Sequence, residues 1–238
     1  MMALPKLNNA PRYEMAIPST GKKVRYRPFL VKEEKNLMMA SESGDSKSVF
    51  LTLADTITAC VEDKVSPRDL TSFDIEYMFL QMRAKSVGES SKVGLKCSEC
   101  GTTNEVTVQL NEIAVSVPKV DKNIQLTADI SIDVDYPTFY DIVEADLANA
   151  EKASTDQAFQ LIRSCIRYVN TNEERIDLRE TSDAEVQEFL DSMNTEQFEK
   201  IKSFVDTMPR LSHDISFECS NCQHKNELTL EGVQNFLS

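Results

Sequence analysis

The chain has 238 residues, 41% hydrophobic and 27% charged, with six glycines, no tryptophan and a net charge of −13. This is the composition of a folded globular protein, which excludes a disordered or fibrous chain. Its length allows one large or two small domains, either of which builds a core without disulfides. The acidity opposes binding to a phosphate backbone, so no nucleic-acid partner is expected.

No targeting segment is expected, because MMALPKLNNAPRYE lacks an apolar run. The best apolar stretch, VFLTLADTITACV, is broken by Asp55 and too short to span a bilayer, so no membrane partner is expected either. A reducing cytoplasm follows, where six cysteines argue for metal ligands or buried thiols.

The first element is a hairpin over 12–27, in which YEMAI and KVRYR flank the turn cluster PSTG. A charged helix follows Pro28 over 31–43 and closes at Gly44. The next begins at Ser46 and buries Val49, Phe50, Leu53, Ile57, Cys60 and Val61. A loop with Pro67 leads to a third helix over 72–87, and a hairpin with Cys97 and Cys100 occupies 93–110. Residues 123–136 alternate with period two and are long enough for two short strands. Helices are expected over 137–150, with Pro137 at the start, and over 155–170, 184–193 and 195–207. Pro209 stops the last of them. A second hairpin, with Cys219 and Cys222, closes the chain over 212–230.

The order of elements repeats: strands, helices, cysteine hairpin. KCSECGTTNEVTV and ECSNCQHKNELTL, at an offset of 122, both read Cys-Ser-x-Cys, three residues, Asn-Glu, an aliphatic residue and Thr, while Tyr26 and Phe29 match Tyr136 and Phe139, and Cys60 matches Cys165. The expected fold is α+β, a tandem pseudo-two-fold duplication with halves 1–115 and 116–238.

Two Cys-x-x-Cys turns supply the four soft donors of a tetrahedral zinc site. The 118 residues between Cys100 and Cys219 exceed the usual spacing. Duplication overcomes the gap, since equivalent hairpins can meet on a pseudo-two-fold axis and Cys97, Cys100, Cys219 and Cys222 then close one structural site, with one zinc per chain. Separate knuckle sites, in which His224 serves the second, a redox dithiol and metal-free relics compete with it. Cys60 and Cys165 read as buried thiols on apolar helix faces. No glycine-rich phosphate loop, zinc-protease helix or nucleophile elbow occurs, so neither catalysis nor a small-molecule substrate is expected.

Basic residues crowd the N-terminal region and acidic ones the middle, which makes either two solvated faces or an orienting charge pattern. Along KVRYR, Lys23, Arg25 and Arg27 project from one face and Val24 and Tyr26 from the other. The basic face is a candidate partner-binding surface.

The stretch Pro18-Ser19-Thr20-Gly21-Lys22-Lys23, Tyr26-Arg27-Pro28-Phe29 and Lys32-Glu33-Glu34-Lys35 resembles the N-terminal signature of a small central-hub protein in baseplates of T-even-type contractile-tailed bacteriophages. The start MALPKL, from Met2, is similar too. The resemblance implies a non-enzymatic role in building the hub. It also implies other baseplate-hub and tail proteins as partners, assembly in the host cytoplasm, and a place in the tail baseplate of the virion if the protein is retained. A zinc-ribbon-type scaffold of another complex and a cell-wall hydrolase are the competing functions.

Overall fold

The computed structural model describes residues 10–115, 117–145 and 154–236. β1 (Tyr13–Ala16) and β2 (Lys23–Tyr26) form an antiparallel hairpin with Tyr13 opposite Tyr26. α1 (Val31–Glu42) starts where the Leu30 N–H donates to Glu33 Oε2 at 2.8 Å, and Gly44, in the left-handed region at φ +69°, ends it. The Asp45 carboxylate caps α2 (Ser46–Cys60) by accepting the N–H groups of Lys47 and Ser48. α3 (Ser72–Ser86) is central: Phe73, Ile75, Met78, Phe79, Leu80 and Met82 are all buried. β3 (Ser90–Lys96) and β4 (Thr103–Gln109) pair antiparallel.

Two short strands then form as expected, β5 (Asn123–Gln125) and β6 (Ser131–Val134). α4 (Phe139–Glu144) is capped by Thr138, and the rest of the expected 137–150 helix, from 146 on, lies outside the described residues. α5 (Thr155–Cys165) is shorter than the expected 155–170 helix, because Ile166–Asn170 forms a strand, β7. The reason is local and tertiary together. Ile166, Tyr168 and Val169 favour extended backbone, and β7 finds partners on both sides in β6 and β8 (Arg175–Asp177). α6 (Asp183–Asp191) and α7 (Thr195–Asp206) begin at capping boxes built on Ser182 with Glu185 and on Asn194 with Gln197. β9 (Ser212–Glu218) and β10 (Lys225–Glu231) make the last hairpin.

The fold is α+β, and among the described residues it has three two-stranded sheets and one four-stranded sheet of order β5-β6-β7-β8. The chain forms two compact units. Unit 1 holds residues 1–67, 73–115 and 210–238, and unit 2 holds 68–72 and 116–209. The repeat places the boundary between halves after residue 115; in space, the second cysteine hairpin belongs to unit 1 together with the first. In unit 1 the core gathers Val24, Leu53, Ile57 and the α3 residues, with Phe29 stacked on Phe79 at 6.1 Å. In unit 2, Ile132, Phe139, Ile162 and Ile201 are buried, and Tyr136 stacks on Phe204 at 5.1 Å. Among the described residues no helix is long and apolar enough to cross a membrane.

Candidate metal centre

Each cysteine pair sits in the tight turn between two strands of seven residues. The Cys97 N–H donates to the Thr102 carbonyl at 2.9 Å, and the Gly101 N–H to the Cys97 carbonyl at 3.0 Å. The second turn repeats both bonds at the same offset of 122: Cys219 to His224 and Gln223 to Cys219, each at 2.9 Å. Such a turn needs one residue in the left-handed region. Glycine fills that position in the first turn (Gly101, φ +72°), and glutamine fills it in the second (Gln223, φ +60°).

The turns face each other within unit 1. Cys97 Sγ lies 3.7 Å from Cys222 Sγ, and Cys100 Sγ lies 3.6 Å from Cys219 Sγ. All four sulfurs lie within 4.8 Å of one another. These separations exceed a disulfide bond of ~2.05 Å, and every cysteine is free. A tetrahedral zinc with Zn–S bonds of ~2.3 Å places its sulfurs about 3.8 Å apart, so the donor set fits that ion. Cys97 and Cys219 are buried, whereas Cys100 and Cys222 are exposed.

Two asparagines cross between the hairpins. Asn104, on β4, accepts the Ser220 N–H at 2.8 Å and its hydroxyl at 2.9 Å through Oδ1, and Nδ2 points at Cys219 Sγ at 3.6 Å. Asn226, on β10, does the same to Ser98 at 2.9 and 3.0 Å and to Cys97 Sγ at 3.5 Å. Both side chains are buried, and each amide also donates to its own turn, to the Thr102 and His224 carbonyls. Each hairpin therefore orients a thiolate of the other. This role was not anticipated, although the Asn-Glu that follows each cysteine pair was visible as part of the repeat.

Hydrogen bonds set the sulfur electrostatics. Backbone N–H groups, first that of Cys100 and then that of Glu99, lower the Cys97 thiol pKa with help from Asn226 and Cys222 and against burial. The Thr102 side chain and backbone, with Cys222 and Asn221, lower Cys100 to about 6 against burial. At Cys222 the His224 backbone pulls down, but desolvation and the neighbouring Cys100, Cys97 and Cys219 sulfurs outweigh it and push the thiol up to about 12. Four thiols in this space cannot all ionise without a cation, and a bound metal ion would supply the missing charge.

The remaining candidates lie elsewhere. Cys60 and Cys165 are buried at helix ends, and burial raises their thiols to about 11 and about 12. His224 contributes its carbonyl to the turn, and among the described residues the cluster of donors consists of the four cysteines. On β2, Lys23 is exposed beside Glu14 at 3.0 Å, and the exposed Arg25 lies 4.0 Å from Asp63. Arg27 is turned into the fold. Its guanidinium donates to buried Glu33 at 2.9 Å, to the Ala59 carbonyl at 3.0 Å and to the Pro28 carbonyl at 2.9 Å.

Comparison with known proteins places the chain beside phage tail components. Residues 10–238 match the family model described as T4 bacteriophage base plate protein. A relative named "Baseplate hub assembly protein gp26", from Enterobacteria phage T4, is 21% identical over 225 residues, covering 94% of this chain and 97% of the relative. No solved structure matches.

Proposed function

The chain belongs to the family of T4 bacteriophage base plate proteins, and from that premise we propose that it is a non-enzymatic structural or assembly component of a baseplate hub, stapled by one structural zinc. The observation that carries the proposal is the family match over residues 10–238 joined to a closed set of four sulfurs. A site with four thiolates leaves no coordination position for a substrate, so its chemistry is to hold chain segments together. Cys97, Cys100, Cys219 and Cys222 would hold the ion, with Asn104 and Asn226 orienting them. The relative's name supplies the hub and the assembly step. Partners are then other hub and tail proteins, met in the host cytoplasm during assembly and in the virion tail if the chain is retained.

Tandem duplication accounts for the paired hairpins, and further equivalences support it. The Arg27 N–H donates to the Cys60 carbonyl at 3.0 Å in unit 1, and the Asp135 N–H donates to the Cys165 carbonyl at 2.8 Å in unit 2. Glu33 accepts the Leu30 N–H at the start of α1, and Asp141 accepts the Thr138 N–H at the start of α4. On this basis the halves are 1–115 and 116–238.

Lys23 and Arg25 remain the exposed part of the proposed partner-binding strand, while Arg27 is committed to Glu33. Rim charges act mainly on association rate and orientation. In infected cells, a phage lacking this chain should fail to complete its baseplate. The double variant Lys23→Glu, Arg25→Glu should fold normally yet recover less hub protein in a pull-down. Baseplates that assemble without the chain overturn the assembly role. Normal recovery by the folded double variant removes the basic strand from it.

A further inference from the structure

We propose that α1 is the contact of a two-fold dimer of this chain, packed antiparallel against the same helix of a second copy. The helix uses only one side of its surface within unit 1: Glu33 and Ala40 are buried, and α1 packs on α2. On the opposite side Val31, Lys35, Met38 and Glu42 recur at i, i+4, i+7 and i+11, a single stripe along the helix. Val31 is 79% exposed and Met38 59%, with Met39 beside them at 58%. Six large hydrophobic side chains are exposed among the described residues. Four of them, Leu30, Val31, Met38 and Met39, cap or lie on α1. A fifth, Val87, follows Ser86, whose hydroxyl accepts the Phe29 N–H at 2.9 Å just before the helix. Large hydrophobic side chains, two of them methionines, gathered on one exposed helix face mark an association surface.

The occupant follows from the charges in the stripe. Lys35 and Glu42 form no ion pair among the described residues, and both are exposed. A partner surface of one sign would attract one of them and repel the other. A parallel copy would set Lys35 against Lys35. An antiparallel copy centred between residues 36 and 37 brings Val31 opposite Glu42 and Lys35 opposite Met38. The lysine stem then covers the methionine, and the ammonium reaches the Glu42 carboxylate one turn further on. The stripe is thus complementary to itself in sign, as a two-fold contact requires. Charge also favours this unit as the meeting place. Unit 1 has sixteen basic and eighteen acidic residues, net −2, and unit 2 has ten and twenty-one, net −11. Two copies therefore repel least where unit 1 meets unit 1.

Light scattering on the eluting full-length protein, from about 1 to 100 µM, tests this. The expected mass approaches twice 26.9 kDa as concentration rises. Met38→Asp should return it to the monomer with an unchanged circular-dichroism melt, because that side chain is largely exposed. Lys35→Glu and Glu42→Lys should each weaken the dimer tenfold or more, and the two together should restore it. A monomer at every concentration overturns the proposal, as does a dimer indifferent to Met38→Asp. A double reversal no tighter than its singles also overturns it.

Discussion

The buried asparagines carry the residue-scale content of the centre. Asn104 and Asn226 each satisfy a serine of the opposite turn and aim an N–H at a sulfur. Groups behind a metal's ligands typically change its affinity by about 10–100-fold. Asn104→Ala or Asn226→Ala should therefore weaken zinc retention by that order in competition with a chelator. Unchanged retention in both variants would reduce these residues to packing. The turns allow a second test, because they differ at one strained position. A side chain in the left-handed region costs about 1 kcal/mol, so Gln223→Gly should stabilise the zinc-loaded protein by that amount in denaturant unfolding. Gly101→Gln should cost a similar amount, since a Cβ at Gly101 meets nothing within 4 Å and only the backbone preference is at stake. A Gln223→Gly variant less stable than the parent would mean that the glutamine side chain contributes more than its strain. The sequence displays the cysteines and the repeated asparagines equally well. Only the ligand chemistry of cysteine is legible without geometry, because an asparagine's role depends on which turn it reaches.

Most elements were legible, and the exceptions have a common cause. The helix expected over 155–170 combines an amphipathic pattern with a run of β-formers at its end. Short apolar runs fit either period, and the pairing of β7 with β6 and β8 decides the matter through contacts distant in sequence. Arg27 shows the same limit just after β2. Alternation puts it on the solvent face with Lys23 and Arg25, but Glu33 and the Ala59 carbonyl draw its guanidinium inward. The signature at the start of α1 thus closes the fold at least in part. α3 supports a pH test. Glu76 accepts the Val233 N–H, and burial, only partly offset by that bond, raises its carboxyl to about 7. A carboxyl raised on folding keeps a proton that the unfolded chain has released, so stability falls as pH rises from about 4.5 to 7 and the cost is complete above 7. At ~1.4 kcal/mol per unit the cost is roughly 3 kcal/mol. Gln has no charge and keeps the acceptor, so Glu76→Gln should raise the melting temperature clearly at about pH 8.5 and little at about pH 4.5. An equal gain at both would show that Glu76 is solvated.

At the scale of the whole molecule, the four clustered cysteines of unit 1 flank a chain segment of more than one hundred residues, most of which belongs to unit 2, which is why ligand spacing alone hid the cluster. The repeated Cys-x-x-Cys stretch made it legible, since two copies of a half-site predict one whole site. A shared site has a thermodynamic consequence. Cys97→Ser and Cys219→Ser should each destabilise the protein, and the double variant should cost little more than either single, because each single already breaks the same centre. Additive costs would mean two independent sites. The most direct measurement is the metal content of protein purified without chelator, for the wild type and for Cys219→Ser. One zinc per chain in the wild type and close to none in the variant is the predicted result. Two per chain, none in the wild type, or full zinc retained without Cys219 would contradict a single centre shared by the two hairpins.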